Sequence, residues 1–347
     1  MFHDKASNSI RQLEQPRIIR LRPNLFACCF QLMKLLPARF MLDRAEDRGE
    51  LIPGSQICET TSGTFGLALA RLGAIRNYRV RLISDPAIDP YLATQLKSLG
   101  ASVDIVDKPD KEHGYQGARL KRLREILRVT PGAYWPQQYD NPDNPLAYSL
   151  VAEAIADVVG PADCLVGSVG SGGSVSGTAR FLRSAQPALK VCGVDTHNSV
   201  LFGHLDGPRT LRGMGNSIIP KNLDHAQFDD VHWVTAVDAV RAMRLLHIQH
   251  GLFMGPTSGA AMLVANWEAT RYPDKSIVVL LPDEGHRYYR TAYDDAWLSS
   301  LPGSDQPTPN DPIAVSSPME AMTRWSYYRW GRTSQVDTFA HAHGLAS

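Results

Sequence analysis

The stretch Gly167-Ser-Val-Gly-Ser-Gly-Gly-Ser174 decides the fold of this chain. The apolar run Cys164-Leu-Val166 precedes it and predicts the end of a buried strand, while the residues after it have the spacing of one helix face. Strand, Gly/Ser loop and helix in this order hold phosphate in α/β proteins, because glycines allow close approach and the helix N-terminus presents N–H groups. Ser171 and Ser174 add hydroxyl donors.

Two familiar phosphate motifs do not fit this loop. In a dinucleotide G-x-G-x-x-G pattern that starts at Gly170, the last glycine would stand where the chain has Val175. The loop also lacks the lysine of a P-loop. The stretch therefore predicts a site for one small phosphate group, and a glycine-rich turn without a ligand is the alternative.

Length and composition bound the class of protein. The chain has 347 residues, 44% of them hydrophobic and 20% charged, which indicates about two soluble domains. A net charge of +1 gives no general field for nucleic acid or an acidic membrane. Five cysteines without C-x-x-C spacing favour a reducing, cytoplasmic setting over a disulfide framework or a metal site. The N-terminus has no apolar signal region, and no apolar run reaches the roughly 18 residues of a membrane span.

Strand and helix patterns alternate through most of the chain. The first series begins with a strand at 56–60 and a polar turn at 61–66, and a second series follows the Pro- and Asn-rich loop at 134–145. This alternation predicts βαβ units and parallel sheets. After it, residues 302–317 resemble a linker, and the aromatic segment around Trp325 predicts a helix that docks on the body or on a partner subunit, with a substrate lid as the alternative.

Three polar turns share one design. Thr61–Gly66, Gly170–Ser174 and Gly255–Gly259 each lie near an apolar run and open a helix. In a parallel sheet such turns lie at the carboxyl ends of the strands, where ligands bind. Together they predict a site for a phosphorylated, carboxylated ligand that needs no metal.

Four motifs in order make a specific resemblance. They are Glu-x-Thr-Ser-Gly-x-x-Gly (59–66), Gly-Ser-Gly-Gly-Ser (170–174), Gly-Pro-Thr-Ser-Gly-Ala (255–260) and Leu-Pro-Asp-x-Gly-x-Arg-Tyr (281–288). The set resembles the cysteine synthase family, the pyridoxal-phosphate (PLP) fold type shared with tryptophan synthase β and the siderophore diaminopropionate-precursor synthases. The resemblance runs through about five-sixths of the chain.

The resemblance implies an α/β, two-domain fold-type II PLP enzyme, each domain a mostly parallel twisted sheet flanked by helices. We expect a smaller, substrate-gripping domain at 38–147 and a larger, phosphate-binding domain at 1–37 plus 148–301. Residues 302–347 would form the linker and the aromatic helical extension. The family also implies a homodimer that acts on a small amino acid.

Lys34 matches the lysine that this family uses to hold PLP as a Schiff base and to move protons at the substrate Cα. The family lysine lies just ahead of a helix that ends in Arg-Gly, and here the helix would end at Arg48-Gly49. An apolar setting would also lower the pKa of the Lys34 amine by desolvation. The alternative is a surface lysine that begins a helix.

Further roles follow from the resemblance, residue by residue. Thr257 falls where the family places a hydroxyl against the pyridine nitrogen, and Gln138 matches a second contact to the substrate carboxylate. Thr64 stands where the family has an Asn that bonds the PLP ring hydroxyl. The phosphate would be bound by Gly170, Ser171, Gly172, Gly173 and Ser174, and the substrate carboxylate by Thr61, Ser62 and Gly63. The loop Gly213–Asn216 resembles one near the far side of the substrate.

Two departures from the family lie close to the cofactor. The run before Lys34, Phe30–Leu36, is shortened by several residues, and Thr64 is followed by Phe65. The expected reaction is β-replacement on O-acetyl- or O-phospho-L-serine through an aminoacrylate, with sulfide or an amine as the nucleophile. A β-eliminating lyase is the alternative within the class, and a catalytically silent binding partner is the alternative outside it.

Overall fold

The computed structural model describes residues 3–61, 63–111 and 114–334. Its strands are β1 (Arg17–Arg22), β2 (Leu25–Cys29), β3 (Gln56–Thr60), β4 (Arg79–Ser84), β5 (Ser102–Ile105), β6 (Cys164–Ser168), β7 (Lys190–Asp195), β8 (Asp230–Trp233), β9 (Ile277–Leu281), β10 (Ile313–Ala314) and β11 (Ser326–Arg329). Its helices are α1 (His3–Glu14), α2 (Leu35–Asp47), α3 (Thr64–Arg76), α4 (Pro90–Ser98), α5 (Gly114–Val129), α6 (Asp143–Leu146), α7 (Ser149–Val159), α8 (Gly173–Ala185), α9 (Ala236–His250), α10 (Pro256–Arg271) and α11 (Asp295–Ser299).

The chain divides into two compact units. Unit 1 comprises Met1–Gln15 and Leu32–Ala147, and unit 2 comprises Pro16–Gln31 and Tyr148–Ser347. This division differs from the domain limits that we expected at the N-terminus. Only residues 16–31 of the first 37 belong to unit 2, because β2 pairs with β9 and β1 pairs with β2.

Unit 1 is built on a parallel sheet with the strand order β3–β4–β5. Successive residues of a strand point to opposite faces. Ile57 and Leu82 therefore pack with the apolar side chains of α2 and α3. Cys58 and Ile83, on the other face, pack with α5 through a small cluster that includes Leu123.

Unit 2 is built on an eight-stranded sheet with the order β1–β2–β9–β6–β7–β8–β11–β10. The five strands from β2 to β8 in this order are parallel, whereas β1 and β11 are antiparallel to their inner neighbours. Every residue of β9, Ile-Val-Val-Leu-Leu, is buried, as expected for a central parallel strand covered on both faces. The predicted α/β class, with mostly parallel sheets flanked by helices, is confirmed.

The aromatic segment near the C-terminus is a strand, so the predicted helix is wrong. β11 pairs antiparallel with β8, with Ser326 opposite Trp233. Trp325 is buried, and its Nε1 donates to Nδ1 of His232 at 3.3 Å. Aromatic residues favour extended structure, and the outer side of β8 offers backbone groups that require partners. Residues 302–334 thus belong to unit 2 and not to a separate extension.

Among residues 3–61, 63–111 and 114–334, no helix combines the length and the apolar character needed to cross a membrane.

Candidate active site

The predicted phosphate loop of unit 2 has the expected strand–loop–helix geometry. β6 ends at Ser168 and α8 begins at Gly173, so the loop leads directly into the N-terminus of the helix. Gly172 adopts a φ of 80°, and a β-carbon added there would lie 2.5 Å from Cα of Leu223. Position 172 therefore requires glycine for both its backbone conformation and its close packing.

A second loop of unit 2 supports the phosphate loop from behind. Asn216 donates from Nδ2 to the carbonyl oxygen of Gly170 at 3.2 Å, and the N–H of Gly215 donates to the carbonyl of Val169 at 2.9 Å. A β-carbon added to Gly170 would lie 2.7 Å from the carbonyl oxygen of Gly213. The loop Gly213–Asn216, which we associated with the substrate, thus also determines the path of the phosphate loop.

The hydroxyl groups at the start of α8 have different uses. Ser171 and Ser174 are both buried. Ser176, one turn into the helix, accepts the N–H of Asp224 at 3.1 Å. This bond holds the segment of Leu223, which packs against Gly172. The predicted phosphate ligands Ser171 and Ser174 therefore lie at the positive end of a helix, where an anion is stabilised by the helix dipole and by N–H groups.

The third and fourth motifs form one structural feature of unit 2. The N–H of Gly255 donates to the carbonyl of Asp283 at 3.0 Å, and Tyr288 donates its hydroxyl to Oδ2 of Asp283 at 2.7 Å. Thr257 follows in the first turn of α10 and is buried. A β-carbon added to Gly213 would lie 3.5 Å from Cγ2 of Thr257. Unit 2 therefore brings Thr257 and the phosphate-loop support together.

Lys34 immediately precedes α2 in unit 1, as the spacing predicts. Its carbonyl oxygen accepts the N–H of Ala38 at 3.2 Å, so the residue is the N-cap of the helix. Its neighbours Leu35 and Leu36 are buried. Burial lowers the pKa of the Lys34 amine to about 8, because desolvation disfavours the ammonium form. The predicted desolvation is confirmed, and a neutral amine is accessible near neutral pH.

The polar turn after β3 is stabilised by a hydrogen bond to the side chain of its first residue, Thr61. The N–H of Gly63 donates to Oγ1 of Thr61 at 3.1 Å, and the N–H of Thr61 donates to the carbonyl of Ile83 at 3.0 Å. Thr61 is buried and Thr64, the first residue of α3, is half-buried. Ser62 lies outside the described residues. The turn is thus anchored to β4 at the carboxyl edge of the unit 1 sheet.

Gln138 lies beside this turn because the segment before it runs along β3. The N–H of Cys58 donates to the carbonyl of Tyr134 at 2.9 Å. Gln138 is buried, and its Nε2 donates to the carbonyl of Thr60 at 2.9 Å. Asn144 donates from Nδ2 to the carbonyl of Gln138 at 2.6 Å. Unit 1 therefore brings Gln138 and the Thr61 turn together, as the two predicted carboxylate contacts require.

Glu59 is the residue that holds these two segments together, and our sequence analysis missed its role. Its Oε1 accepts the N–H of Thr60 at 2.7 Å and the Nε1–H of Trp135 at 3.1 Å. Its Oε2 accepts the N–H of Gln138 at 3.1 Å. Burial raises the pKa of Glu59 to about 7, although these N–H donors act in the opposite direction. The sequence signal for this role was the position of Glu59 as the first residue of the Glu-x-Thr-Ser-Gly motif.

The described residues fit the PLP that the resemblance implies. In unit 2, the glycines at 170 and 172 leave a backbone cradle without room for side chains, at a helix N-terminus. In unit 1, Lys34 offers an amine of lowered pKa. A dianionic phosphate and an aldehyde need these two kinds of group.

A group of potential metal ligands lies elsewhere in unit 2. Ligand atoms of the buried residues Cys164, Cys192 and Glu268 lie within 4.8 Å of one another. Lys190 donates from Nζ to Oε1 of Glu268 at 2.8 Å. The positive charge of Lys190 opposes a cation beside this carboxylate, so we do not assign a metal to the group.

Comparison with known proteins shows one family over most of the chain. Residues 33–283 match the family model described as pyridoxal-phosphate dependent enzyme. An N-(2-amino-2-carboxyethyl)-L-glutamate synthase of Ralstonia nicotianae is 39% identical over 77% of this chain and 80% of the relative. A protein of the same name from Cupriavidus metallidurans is 36% identical over 76% of this chain and 80% of the relative.

A solved structure agrees with the sequence relatives. The crystal structure of an O-ureido-L-serine synthase has a TM-score of 0.75 and 26% identity, and the match covers 84% of this chain and 98% of that one. The predicted resemblance, the PLP cofactor and the β-substitution class of enzyme are confirmed, whereas the individual roles of the site residues remain predictions. The chain belongs to the pyridoxal-phosphate dependent enzyme family.

Proposed function

We propose that this protein joins the α-amino group of L-glutamate to the β-carbon of an O-activated L-serine and so makes N-(2-amino-2-carboxyethyl)-L-glutamate. The observation that carries the proposal is the shared name of the two relatives at 39% and 36% identity. It favours an amine as the nucleophile over sulfide. The sequence analysis left both nucleophiles open. O-acetyl-L-serine and O-phospho-L-serine both remain candidate donors.

PLP, when bound, supplies an electron sink for negative charge at the substrate Cα. Lys34 would hold PLP covalently and then carry the proton to and from Cα. Its pKa of about 8 supports both tasks, because a base with a pKa near the working pH is present in its neutral form and still accepts a proton. Gly170–Ser174 would hold the phosphate, and Thr257 would face the pyridine nitrogen with a neutral hydroxyl.

The substrate carboxylate would be bound by the Thr61 turn and by Gln138. The hydroxyl of Thr61 accepts the N–H of Gly63 at 3.1 Å. It donates to the carbonyl of Gly63 over a long 3.4 Å contact, which the substrate carboxylate would replace. The bond from Nε2 of Gln138 to the carbonyl of Thr60 fixes this side chain beside the turn. Glu59 orients both segments, so the two donors are held in place before the substrate arrives.

The reaction changes two bonds at the serine β-carbon. The bond from Cβ to the ester oxygen breaks and releases acetate or phosphate. A bond from Cβ to the glutamate nitrogen forms, and the nitrogen loses a proton. The proton that Lys34 removes from Cα returns there at the end, so the reaction is redox-neutral and needs no oxidant.

The test is a product analysis of the purified, PLP-loaded protein by mass spectrometry. Each serine donor is supplied with L-glutamate, with L-aspartate or with sulfide in separate reactions. We expect the glutamate adduct as the main product, and Lys34→Ala should abolish it. Cysteine as the main product would refute the choice of nucleophile.

Two other outcomes correspond to the alternatives. Release of a keto acid and ammonia without an added nucleophile would identify a β-eliminating lyase. A PLP-loaded protein that converts neither donor with any nucleophile would identify a silent binding partner. Retention of full turnover by Lys34→Ala would refute the role of Lys34 while leaving the reaction intact.

We also propose a homodimer that works in the cytoplasm on a small amino acid. All five cysteines are free and buried, which supports a reducing compartment. The dimer is supported by the family resemblance alone. Light scattering on the purified protein would test it, and a monomer with full activity would refute it.

A further inference from the structure

A pocket of unit 2 lies away from every residue assigned above. Its volume is about 630 Å³, within the range of small-molecule sites. It is lined by Lys190, Asp229, Asp230, Arg271, Tyr272, Tyr327, Arg329, Gly331 and Arg332. Part of the lining is therefore β11 and the residues after it, the segment that we had predicted to be a helix.

The pocket lies at the amino edge of the large sheet, opposite the phosphate loop. Lys190 and Asp230 are the first residues of the parallel strands β7 and β8. The phosphate loop follows the last residue of β6, which is opposite Val194 of β7. Four residues of strand, at about 3.3 Å each, separate the two edges by roughly 13 Å. The pocket is thus distinct from the PLP phosphate site.

The carboxylates of the pocket are already engaged. Asp230 accepts Nζ of Lys190 at 2.7 Å, and the same amine bonds the buried Glu268 behind the pocket. Asp229 accepts Arg332 at 2.7 Å and Arg183 at 2.5 Å. Both carboxylates of the lining are therefore paired with Lys190, Arg183 and Arg332. The other cations of the lining have no carboxylate partner in the pocket.

Arg271 and Arg329 are those remaining cations. Within the part of the chain that the structure describes, neither forms an ion pair. The guanidinium of Arg271 lies 4.5 Å from the ring centre of Trp267 and 5.5 Å from that of Tyr272, a stacking that holds its position without neutralising it. Four cations against two carboxylates leave the lining with two positive charges in excess.

We propose that this pocket is a second ligand site, which binds a small organic dianion. Arg271 and Arg329 would pair with the two negative charges, and the rings of Tyr272 and Tyr327 would cover the apolar part of the ligand. Planar guanidinium groups suit carboxylate and phosphate alike. The chemical class is therefore a di- or tricarboxylate or a phosphate ester, and the proposal stands independently of the reaction proposed above.

Calorimetric titration of the PLP-loaded protein tests the site with citrate and with inorganic phosphate as separate probes. PLP occupies its own phosphate site, no turnover takes place, and the pocket variant below separates binding at the pocket from binding at the proposed substrate carboxylate site. We expect saturable binding of at least one probe, and the stronger probe distinguishes the carboxylate from the phosphate source. The double variant Arg271→Gln, Arg329→Gln should weaken binding at least tenfold. Arg290→Gln, an exposed arginine outside the pocket, should leave it unchanged.

Two results would overturn the proposal. One is that neither probe binds the wild type saturably. The other is equal binding by the double variant and the wild type. A second measurement avoids variants altogether: the bound probe should protect Arg271 and Arg329 from an arginine-specific reagent, but not Arg290, as read by peptide mass. Equal labelling with and without the probe would also count against the site.

Discussion

Replacement of Gly172 by alanine tests the phosphate loop directly. Gly172 has a φ of 80°, and an L-residue in the left-handed region costs about 1–2 kcal/mol. The added β-carbon would also lie 2.5 Å from Cα and 2.7 Å from the backbone nitrogen of Leu223. Carbon atoms in contact normally lie about 3.5–4.0 Å apart, so the backbone must move by about 1 Å.

The movement has a cost in stability and in cofactor binding. Overpacking of this kind costs about 1–3 kcal/mol, in addition to the backbone strain. It would also displace the N–H groups at the start of α8 from the positions that meet the phosphate. We expect Gly172→Ala to lower the free energy of unfolding by about 2–5 kcal/mol and to raise the PLP dissociation constant at least tenfold, where tenfold corresponds to about 1.4 kcal/mol.

Gly251→Ala is the matched control. Gly251 also has a left-handed φ, 67°, but a β-carbon there would meet no atom within 4 Å. This variant carries the backbone strain without the collision and lies at the end of α9, outside the loop. Urea unfolding gives the stabilities, and titration of the apoprotein with PLP gives the affinities. If Gly172→Ala matched Gly251→Ala in both measurements, the close packing and the phosphate role of the loop would be refuted.

Three further predictions concern other parts of the chain. Glu59→Ala leaves two buried backbone N–H groups and the half-buried indole N–H of Trp135 without an acceptor, and it should lower the free energy of unfolding by about 3 kcal/mol or more. Glu59→Gln keeps one acceptor oxygen and should lose less. Equal losses in urea unfolding would contradict this bond network. The rate of PLP uptake by the apoprotein should rise as the pH passes through about 8. Burial lowers the pKa of Lys34 to that value, and only the neutral amine reacts. An uptake rate that still rises steeply near pH 10 would refute the role of the Lys34 amine in this pH dependence. Trp325→Ala removes a buried side chain that bonds His232 and should cost about 3–5 kcal/mol in thermal or urea unfolding; a change below 1 kcal/mol would show that β11 does not stabilise unit 2.

Local chemistry that follows from neighbouring residues could be read from the sequence. The strand before Gly170, the helix after it and the need for glycine follow from a few adjacent positions, and the structure confirms them. The position of Lys34 before a buried helix and the direction of its pKa shift also follow from its apolar neighbours. Such features depend on interactions over a few residues, so pattern and motif spacing are sufficient.

Pairings between distant segments could not be read in the same way. The aromatic residues of segment 325–330 favour a strand only weakly. The open side of β8, almost a hundred residues earlier, determines that the segment is one. Glu59 is one carboxylate in a motif until the chain around Trp135 and Gln138 meets it. The backbone needs partners, but only the folded chain determines which ones are near.

By itself, the sequence determined the family, the cofactor and the alternation of strands and helices through most of the chain, because each depends on short motifs in a defined order. The tertiary structure alone decided where opposite charges meet. Lys190, Arg271 and Arg329 come from three separate elements. They line one pocket only because β7 begins, and α10 and β11 end, at the same edge of the sheet. Charge excess is a property of that assembled surface, and the near-neutral total of the chain conceals it.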